Sequence, residues 1–234
     1  MSQRRVMVAD IGEVILSKRH GSSNIRLSIS THGQVRVGMP YWTPYEAGLL
    51  FLLNKKGWVQ EHLLKQAPIR LSHGTRIGKT YKIVFFQNKS KIGSIIKVSG
   101  KAINVTSDRQ LSDPELQKQV YKACEKALFL EAKSELPPRI EALSNKYDLP
   151  YNQLRVRKLI SRWGSCSNNK NISLSSYLVQ LPWELVDYVI IHELAHTRFL
   201  NHSRDFWQLV EKIVPDHKAI RFEIKSHKPR LEPM

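Results

Sequence analysis

The segment that spans residues 189–207, VIIHELAHTRFLNHSRDFW, limits what this chain can fold into more than any other part of its sequence. Three histidines and a glutamate fall within eleven residues there, as His192, Glu193, His196 and His202. Residues four apart lie on one face of an α-helix, so His192 and His196 would present their imidazoles one turn apart. Two such nitrogens can bind one tetrahedral metal ion, and the segment therefore predicts a helix that supplies part of a metal site.

The third histidine needs a break in that helix before it can join the site. At about 100° per residue, an unbroken helix would rotate His202 by about 240° relative to His196, away from the ligand face. The chain must therefore turn back after Leu200, and Asn201 suits the turn because asparagine tolerates left-handed backbone angles. The histidine spacing matches H-E-x-x-H-x-x-G-x-x-H, but Phe199 stands where that motif has glycine, so the turn must be built differently.

These residue types in this order indicate hydrolytic chemistry. H-E-x-x-H is a pattern in which one helix supplies two zinc ligands and a general base. A catalytic zinc with three protein ligands leaves one position for water and lowers the pKa of that water towards about 7. Glu193 can then take the water proton and pass it to a leaving group. We therefore predict a Zn²⁺-dependent hydrolase with Glu193 as the base, although three imidazoles also suit cobalt or nickel.

Two alternatives use the same residues differently. The first is a surface helix with incidental histidines, but the apolar stretch VDYVII before His192 places them near a core face, where unpaired imidazoles are costly. The second is a cysteine nucleophile, since Cys166 lies in the nearby sequence WGSC. A cysteine–histidine pair would need one imidazole free of metal, whereas the histidine spacing already accounts for all three as ligands. We expect Cys124 and Cys166 to be reduced thiols.

The alternation of apolar and polar residues predicts a strand-rich region over residues 1–110. NIRLSISTHGQVRVGMP is typical of a hairpin with its turn at His32-Gly33, and a helical pattern follows in TPYEAGLLFLLNKKGWVQEHL. Three more stretches, YKIVFFQ, IIKVSG and AINVTS, are rich in β-branched residues and are separated by turn formers. No internal repeat is apparent in the sequence.

Helical patterns dominate residues 111–234, which we assign to a second domain. Ser112 or Asp113 can cap a helix that begins at Pro114, and Pro137-Pro138 should interrupt it. Two strands are predicted after residue 150, then a helix from Pro182 and another capped by Ser203. The predicted fold class is therefore α+β, with a soft boundary near residue 110.

The charge of the chain favours contact with polyanions. The formal net charge is +17, and residues 51–100 hold ten lysines and arginines against one acidic residue. Such a segment is typical of proteins that bind nucleotides or nucleic acid. The alternative is a solvated basic surface, because no repeat of basic and aromatic residues marks a nucleic-acid module.

The sequence gives no sign of a membrane segment. It has no run of about 18 apolar residues, the length that a membrane-spanning helix needs. The start of the chain, MSQRRVMVADIGEVIL, lacks the apolar block and small-residue cleavage site of a signal peptide. We therefore expect a cytoplasmic protein without a membrane partner.

Several stretches resemble the YgjP-like, SprT-related zinc metallopeptidases of the zincin group. The stretches that carry the resemblance are SRWGSC, ISLSSYLVQLP, VDYVIIHELAH, NHSRDFW and PDHKAI, together with IRLSISTHGQVRVGMP near the start of the chain. The resemblance implies a zincin-like metallopeptidase domain over residues 111–234, with His192, His196 and His202 as zinc ligands and Glu193 as the catalytic base. This assignment agrees with the spacing argument above.

Zincin architecture also implies an edge strand above the zinc helix, which pairs with an extended substrate. Here that strand would be residues 172–177, with Ile172, Ser173 and Leu174 in contact with the substrate. Strand addition reads the main chain, which suits a peptide or protein substrate. A plain core strand is the alternative interpretation.

Three functions follow as hypotheses. The first is a zinc-dependent peptidase. The second, which the resemblance implies because one family member is associated with it, is a metal-dependent pyrophosphohydrolase of nucleoside triphosphates such as UTP. The third is a nucleic-acid-associated, SprT-like protease that acts on DNA-bound protein, and it depends on the basic residues 51–100.

Overall fold

The computed structural model describes residues 2–30, 34–65, 70–90 and 92–231. The chain divides into two compact units, residues 1–69 and 70–234, each with strands and helices, so the predicted α+β class is confirmed. The boundary expected near residue 110 falls inside the second unit, between a sheet and the long helix that packs on it. The basic segment 51–100 is shared between the two units, and its role in binding a polyanion stays a prediction.

The first unit is a four-stranded sheet followed by two helices. Its elements are β1 (Gln3–Val8), β2 (Gly12–Arg19), β3 (Arg26–Ile29), β4 (Val35–Pro40), α1 (Tyr45–Asn54) and α2 (Lys56–Lys65). The alternating side chains of β4 bury Val35, Val37 and Met39 in a core with Leu52 and Val59 of the helices. A Cβ at Gly48 would overlap the Met39 Cε, so this glycine lets α1 approach β4 closely.

The strands of the first sheet are ordered β1-β2-β4-β3. Neighbours β1 and β2 are antiparallel, β2 and β4 are parallel, and β3 and β4 are antiparallel. The two strands that we predicted on either side of His32-Gly33 are therefore confirmed as an antiparallel pair. The predicted turn at His32-Gly33 lies outside the described residues.

The second unit begins with a four-stranded sheet of the same topology. Its strands are β5 (Arg76–Ile77), β6 (Tyr81–Gln87), β7 (Ser94–Ser99) and β8 (Ala102–Ser107). Their order is β5-β6-β8-β7, again with antiparallel outer pairs and a parallel central pair. The sequence showed no repeat because topology depends on the period-two pattern of burial, which many different residues satisfy.

A single helix, α3 (Pro114–Tyr147), packs on this second sheet. The Asp113 side chain caps it by accepting hydrogen bonds from the backbone N–H groups of Glu115 and Leu116, as predicted. The predicted interruption at Pro137-Pro138 is wrong, since both prolines lie inside the helix. Proline removes a backbone hydrogen bond, but the buried side chains Leu136 and Ile140 on either side keep one face of the helix in the core.

The remaining elements form the part of the second unit that carries the histidines. They are β9 (Gln153–Arg157), β10 (Gly164–Cys166), β11 (Asn171–Ser175), a 3-10 turn (Ser176–Gln180), α4 (Trp183–Ala195), α5 (Arg204–Ile213) and α6 (His217–Ile224). The strands are ordered β10-β11-β9, and α4 packs against β10 and β11. The predicted helix after Pro182 and the Ser203 cap are both confirmed.

The buried carboxylate of Glu131 on α3 binds the turn between β5 and β6, and Lys79 of that turn contacts the segment just before α4. Glu131, 4% exposed, accepts hydrogen bonds from the backbone N–H groups of Lys79 (2.8 Å) and Thr80 (2.7 Å) and from the Thr80 hydroxyl (2.5 Å). The Lys79 ammonium in turn donates to the carbonyl of Leu181, just before α4 (2.5 Å). No described helix is both long enough and apolar enough to cross a bilayer.

Candidate metal centre

The structure brings the three predicted histidines together. His192 lies in the last turn of α4, His196 is the C-cap residue of that helix, and His202 lies in the loop before α5. One ligand atom from each ring lies within 4.8 Å of the others. The Nε2 atoms of His192 and His202 are 3.0 Å apart. Two nitrogens bound to one tetrahedral zinc lie about 3.3 Å apart, so His192 and His202 are close to the spacing that a metal requires.

The protonation states of the histidines also suit a metal. The Nδ1 of His196 lies 2.9 Å from the Phe199 carbonyl, which can only accept, so Nδ1 is the donor of this bond and Nε2 is the ring atom left to bind a metal. Burial, with the neighbouring His196 and His202, lowers the pKa of His192 to about 3. Burial and His196 also lower the pKa of His202. Metal ligands must be neutral imidazoles, and this surrounding favours that form.

Aromatic side chains of α5 hold the imidazole rings in place. Phe206 is fully buried and stacks on His196 with ring centroids 4.5 Å apart. Its ring also lies 5.0 Å from that of His192 and 4.9 Å from that of His202. Trp207 stacks on His202 at 5.5 Å. The Ser203 cap fixes the start of α5 through a bond from the Phe206 N–H, so it sets the position of both aromatic rings.

The Glu193 side chain extends from α4 towards strand β10. Its side chain is 6% exposed, and burial raises its pKa to about 8, an effect that the Arg162 charge opposes. A Cβ at Gly164 would lie 2.7 Å from the Glu193 Oε1 and 2.6 Å from its Cγ. No side chain fits at position 164 without moving this carboxylate. The glycine in WGSC therefore gives the carboxylate of Glu193 its place beside the histidines.

A cleft of about 320 Å³ opens beside His192 and Glu193. Its walls include three cationic side chains that we did not predict, Arg162, Arg221 and Lys225. Arg221 and Lys225 come from α6 and the residue that follows it, 19 and 23 residues after His202, so no local spacing indicates them. Arg221 also lies over the Trp207 ring, with its guanidinium carbon 4.8 Å from the ring centroid.

Comparison with known proteins identifies the family. The model of the YgjP-like metallopeptidase domain matches residues 23–227, which is most of the chain. The chain belongs to the YgjP-like metallopeptidase family. The suspected resemblance is thereby confirmed, and the family indicates a hydrolase that uses a metal. No curated protein matches the chain.

Two solved structures are similar to part of this YgjP-like chain. One is the metallopeptidase zymogen abylysin of Pyrococcus abyssi, with 28% identity over 38% of this chain and 90% of that chain, and a TM-score of 0.35. The other is the metallopeptidase zymogen jannalysin of Methanocaldococcus jannaschii, with 19% identity over 39% of this chain and 95% of that chain, and a TM-score of 0.36.

The strand that we expected to bind substrate is not an edge strand. Residues Ile172, Ser173 and Leu174 belong to β11, which is central in its sheet and pairs with β10 on one side and β9 on the other. Ile172 and Leu174 are fully buried. The main-chain groups of β11 are used within the sheet, so the core-strand alternative is correct. The edge beside α4 is β10, which begins at Gly164.

The turn before His202 also differs from our expectation. The helix ends earlier than expected, at Ala195, and the chain turns through hydrogen bonds from the N–H groups of Thr197 to Leu194 and of Phe199 to Ala195. Asn201 does not have a positive φ angle, so the left-handed turn that we assigned to it is wrong. Phe199 stands where the related motif has glycine. Its backbone carbonyl lies within hydrogen-bond distance of the His196 Nδ1, and this contact holds the turn.

Cys166 lies on β10 near Glu193, but its surroundings disfavour a nucleophile. Burial and the Glu193 charge raise the pKa of its thiol to about 11, so the reactive thiolate is scarce at neutral pH. Its Sγ donates only a weak bond to the Ser167 carbonyl, at 3.5 Å. Cys124 is buried, and neither cysteine forms a disulfide, as predicted.

Proposed function

We propose that this chain is a zinc-dependent peptidase in which His192, His196 and His202 hold the metal and Glu193 is the general base. The observation that carries the proposal is the convergence of three imidazoles next to a buried carboxylate that is held against β10. Bound zinc would supply a Lewis acid that acidifies water and polarises a carbonyl group. This chemistry matches the metallopeptidase family of the chain.

Glu193 performs the proton transfers in this proposal. Its raised pKa, about 8, lies near neutral pH, where a carboxylate can both accept a proton and return it. The carboxylate takes a proton from the attacking water and delivers it to the nitrogen of the leaving amine. The close backbone at Gly164 limits where the carboxylate can go, so the proton acceptor stays beside the histidines.

The free edge of β10 is the best candidate for the substrate-binding strand. Among the described residues, β10 pairs only with β11, so its other side can accept an extended peptide. Gly164 places that edge next to Glu193. A peptide added there would bring its main-chain carbonyl groups close to the cleft. This assignment replaces the strand 172–174 that we predicted from the sequence.

The decisive experiment compares wild type with Glu193→Gln on an unfolded protein substrate such as reduced casein. Glutamine keeps the size of the side chain but cannot accept the water proton, so we expect a rate loss of at least about 100-fold. Zinc content, measured by mass spectrometry on the same samples, should be the same in both proteins. A variant that retains zinc and cleaves at the wild-type rate would exclude this mechanism.

A second function is favoured by the charge of the cleft. Arg162, Arg221 and Lys225 line the cleft beside His192, and their positive charges suit a triphosphate better than a neutral peptide. The reaction would then be release of pyrophosphate from a nucleoside triphosphate. A panel of nucleotides tests this, with His192→Ala and Arg221→Gln as the matched variants. If wild type releases no pyrophosphate from any member of the panel, this second function is excluded.

A further inference from the structure

A second cavity, of about 480 Å³, lies on the first sheet. It is lined by residues of β2, β3 and β4 and of the loop between β2 and β3. Three exposed arginines, Arg19, Arg26 and Arg36, belong to this lining, and we call the site the arginine cavity. All of its lining residues belong to the first unit, whereas the candidate metal centre is built by the second.

The strand register explains why three arginines from separate strands face the same space. Side chains alternate between the two faces of a sheet, and Val37 and Met39 of β4 face the helices, so Arg36 and Gly38 face the other way. Gly38 is paired with Arg26 on one side and with Ser17 on the other. Arg19 lies two residues after Ser17 and therefore shares this outer face.

Gly38 forms the floor of the cavity. A Cβ built there would meet only the backbone carbonyl oxygen of Arg26, at 3.9 Å, which is an ordinary contact. A side chain would therefore fit at this position, yet the sequence leaves it empty beside Arg26 and two residues after Arg36. The missing side chain creates a depression into which the flanking guanidinium groups can reach.

The charge in the arginine cavity is not neutralised by the protein. In the part of the chain that the structure describes, none of the three arginines forms an ion pair. The acidic residues Asp10 and Glu13 of the same unit pair instead with Lys56 and Arg5. Like charges on neighbouring strands repel one another, so the grouping is unfavourable unless an anion joins it.

Hydroxyl groups complete the lining. Ser22, Ser23 and Ser28 line the cavity together with His20, whose ring stacks on Tyr41 at 4.3 Å between centroids. Guanidinium groups form paired hydrogen bonds with phosphate oxygens, and the Ser23 and Ser28 hydroxyls can add further donors. The Ser22 hydroxyl, by contrast, donates to the Asn24 carbonyl. Three guanidinium groups also require a ligand that carries several negative charges in a small volume.

We propose that the arginine cavity binds the phosphate groups of a polyanionic ligand. A chain of two or more phosphates provides the charge and the acceptor oxygens that the three arginines and the Ser23 and Ser28 hydroxyls can satisfy. The same chemistry is present in a nucleotide's phosphate chain and in the backbone of single-stranded nucleic acid. The inference does not depend on the metal centre or on its proposed peptidase activity.

The test is a calorimetric titration of the full-length protein with inorganic triphosphate, with citrate as a tricarboxylate of similar charge. We expect triphosphate to bind and citrate to bind much more weakly. Each of Arg19→Gln, Arg26→Gln and Arg36→Gln should weaken triphosphate binding by about tenfold, the usual effect of one charge-assisted contact. Arg26→Lys should fall between wild type and Arg26→Gln, because lysine keeps the charge but loses the paired bonds.

Two controls separate the cavity from other basic surfaces. Arg4→Gln removes one positive charge from the opposite face of the same sheet, and Arg76→Gln removes one from an exposed position on strand β5 of the second unit; neither should weaken binding. Gly38→Val leaves the charge unchanged but fills the floor of the cavity, and it should weaken binding by about tenfold as well. Urea unfolding of every variant checks that the fold is kept.

Three results would overturn the proposal: no triphosphate binding at about 1 mM, equal binding of citrate, or a loss of binding in Arg221→Gln that the cavity variants do not share. If binding occurs as expected, a single-stranded oligonucleotide of about 12 nucleotides identifies the source of the phosphate. An oligonucleotide that competes with triphosphate and responds to the same variants points to a nucleic-acid backbone. An oligonucleotide that does not compete points to a small phosphorylated molecule.

Discussion

In the metal centre, Phe206 and Trp207 stack on imidazole rings and the Glu193 carboxylate is buried; in the arginine cavity, three exposed arginines lie on one face of the first sheet. Burial changes the chemistry of the first group, since it lowers the pKa of His192 to about 3 and raises that of Glu193 to about 8. The arginines of the cavity are exposed. The chemistry of a buried group changes strongly when one neighbouring side chain is removed. At an exposed site the binding energy is divided among several charge contacts, each of them weakened by solvent and salt.

The largest effect that this difference predicts is the loss of metal from His202→Ala. Removing one of three ligands leaves a site with two imidazoles, and we expect zinc to fall from about one per chain to a small fraction. Metal content by mass spectrometry measures this. His62→Ala, in the first unit, is the control and should keep its zinc. Equal zinc in wild type and His202→Ala would show that the third ligand comes from elsewhere.

A smaller but still large effect is expected for Gly164→Ala. The new methyl group would overlap the Glu193 side chain, whose nearest atoms lie 2.6 to 2.9 Å from the position that the alanine Cβ would take, so the carboxylate must move. A displacement of about 1 Å at a catalytic group can cost about 100-fold in rate. Casein cleavage measures it, with zinc content unchanged. Ser165→Ala on the same strand is the control, and full activity of Gly164→Ala would mean that Glu193 does not need this position.

An intermediate effect is expected where the aromatic support is weakened. Phe206→Leu removes the ring that stacks on His196 and contacts the other two imidazoles. Residues that orient metal ligands typically contribute about 10- to 100-fold in metal affinity, so zinc should bind about tenfold more weakly. Competition with a chelator measures the affinity. The control is Phe222→Leu, since Phe222 is 79% exposed, and an equal loss in both variants would contradict a specific role of Phe206.

The smallest effect that we expect is a difference between the two sites in their response to salt concentration. Raising the salt concentration should weaken triphosphate binding at the arginine cavity several-fold, because exposed charges are screened. Cleavage of a neutral peptide should change little, because the substrate carries no net charge and the Glu193 carboxylate is buried. Calorimetry and a peptide assay at the same two salt concentrations give both values. Triphosphate binding that does not depend on salt would place its ligand in a buried site.

The metal centre could be predicted from the sequence because its information is local. His192, Glu193 and His196 lie on one helix, and the position of His202 follows from the need for a third ligand. Arg162, Arg221 and Lys225 could not be found in this way, since packing of α6 and of the segment before β10 brings them to the cleft. The same applies to the arginine cavity, which appears only when the strand register is known.

The errors in the predicted fold have a shared physical cause. Local propensity placed a break at Pro137-Pro138, but the buried face of α3 outweighs the lost backbone bonds. A run of apolar and polar residues in 172–174 could not show whether β11 has one neighbour or two. Both questions are decided by contacts distant in sequence, which single-sequence patterns do not contain.

The shared topology of the two four-stranded sheets has a consequence for how this chain folds. In each sheet the third and fourth strands form a local antiparallel pair, β3 with β4 and β7 with β8, and the fourth strand then pairs in parallel with the second. During folding, either hairpin can therefore pair with β2 or with β6, because both of these strands accept a parallel neighbour. Partners that match in direction but not in side-chain pattern are a source of misassembly.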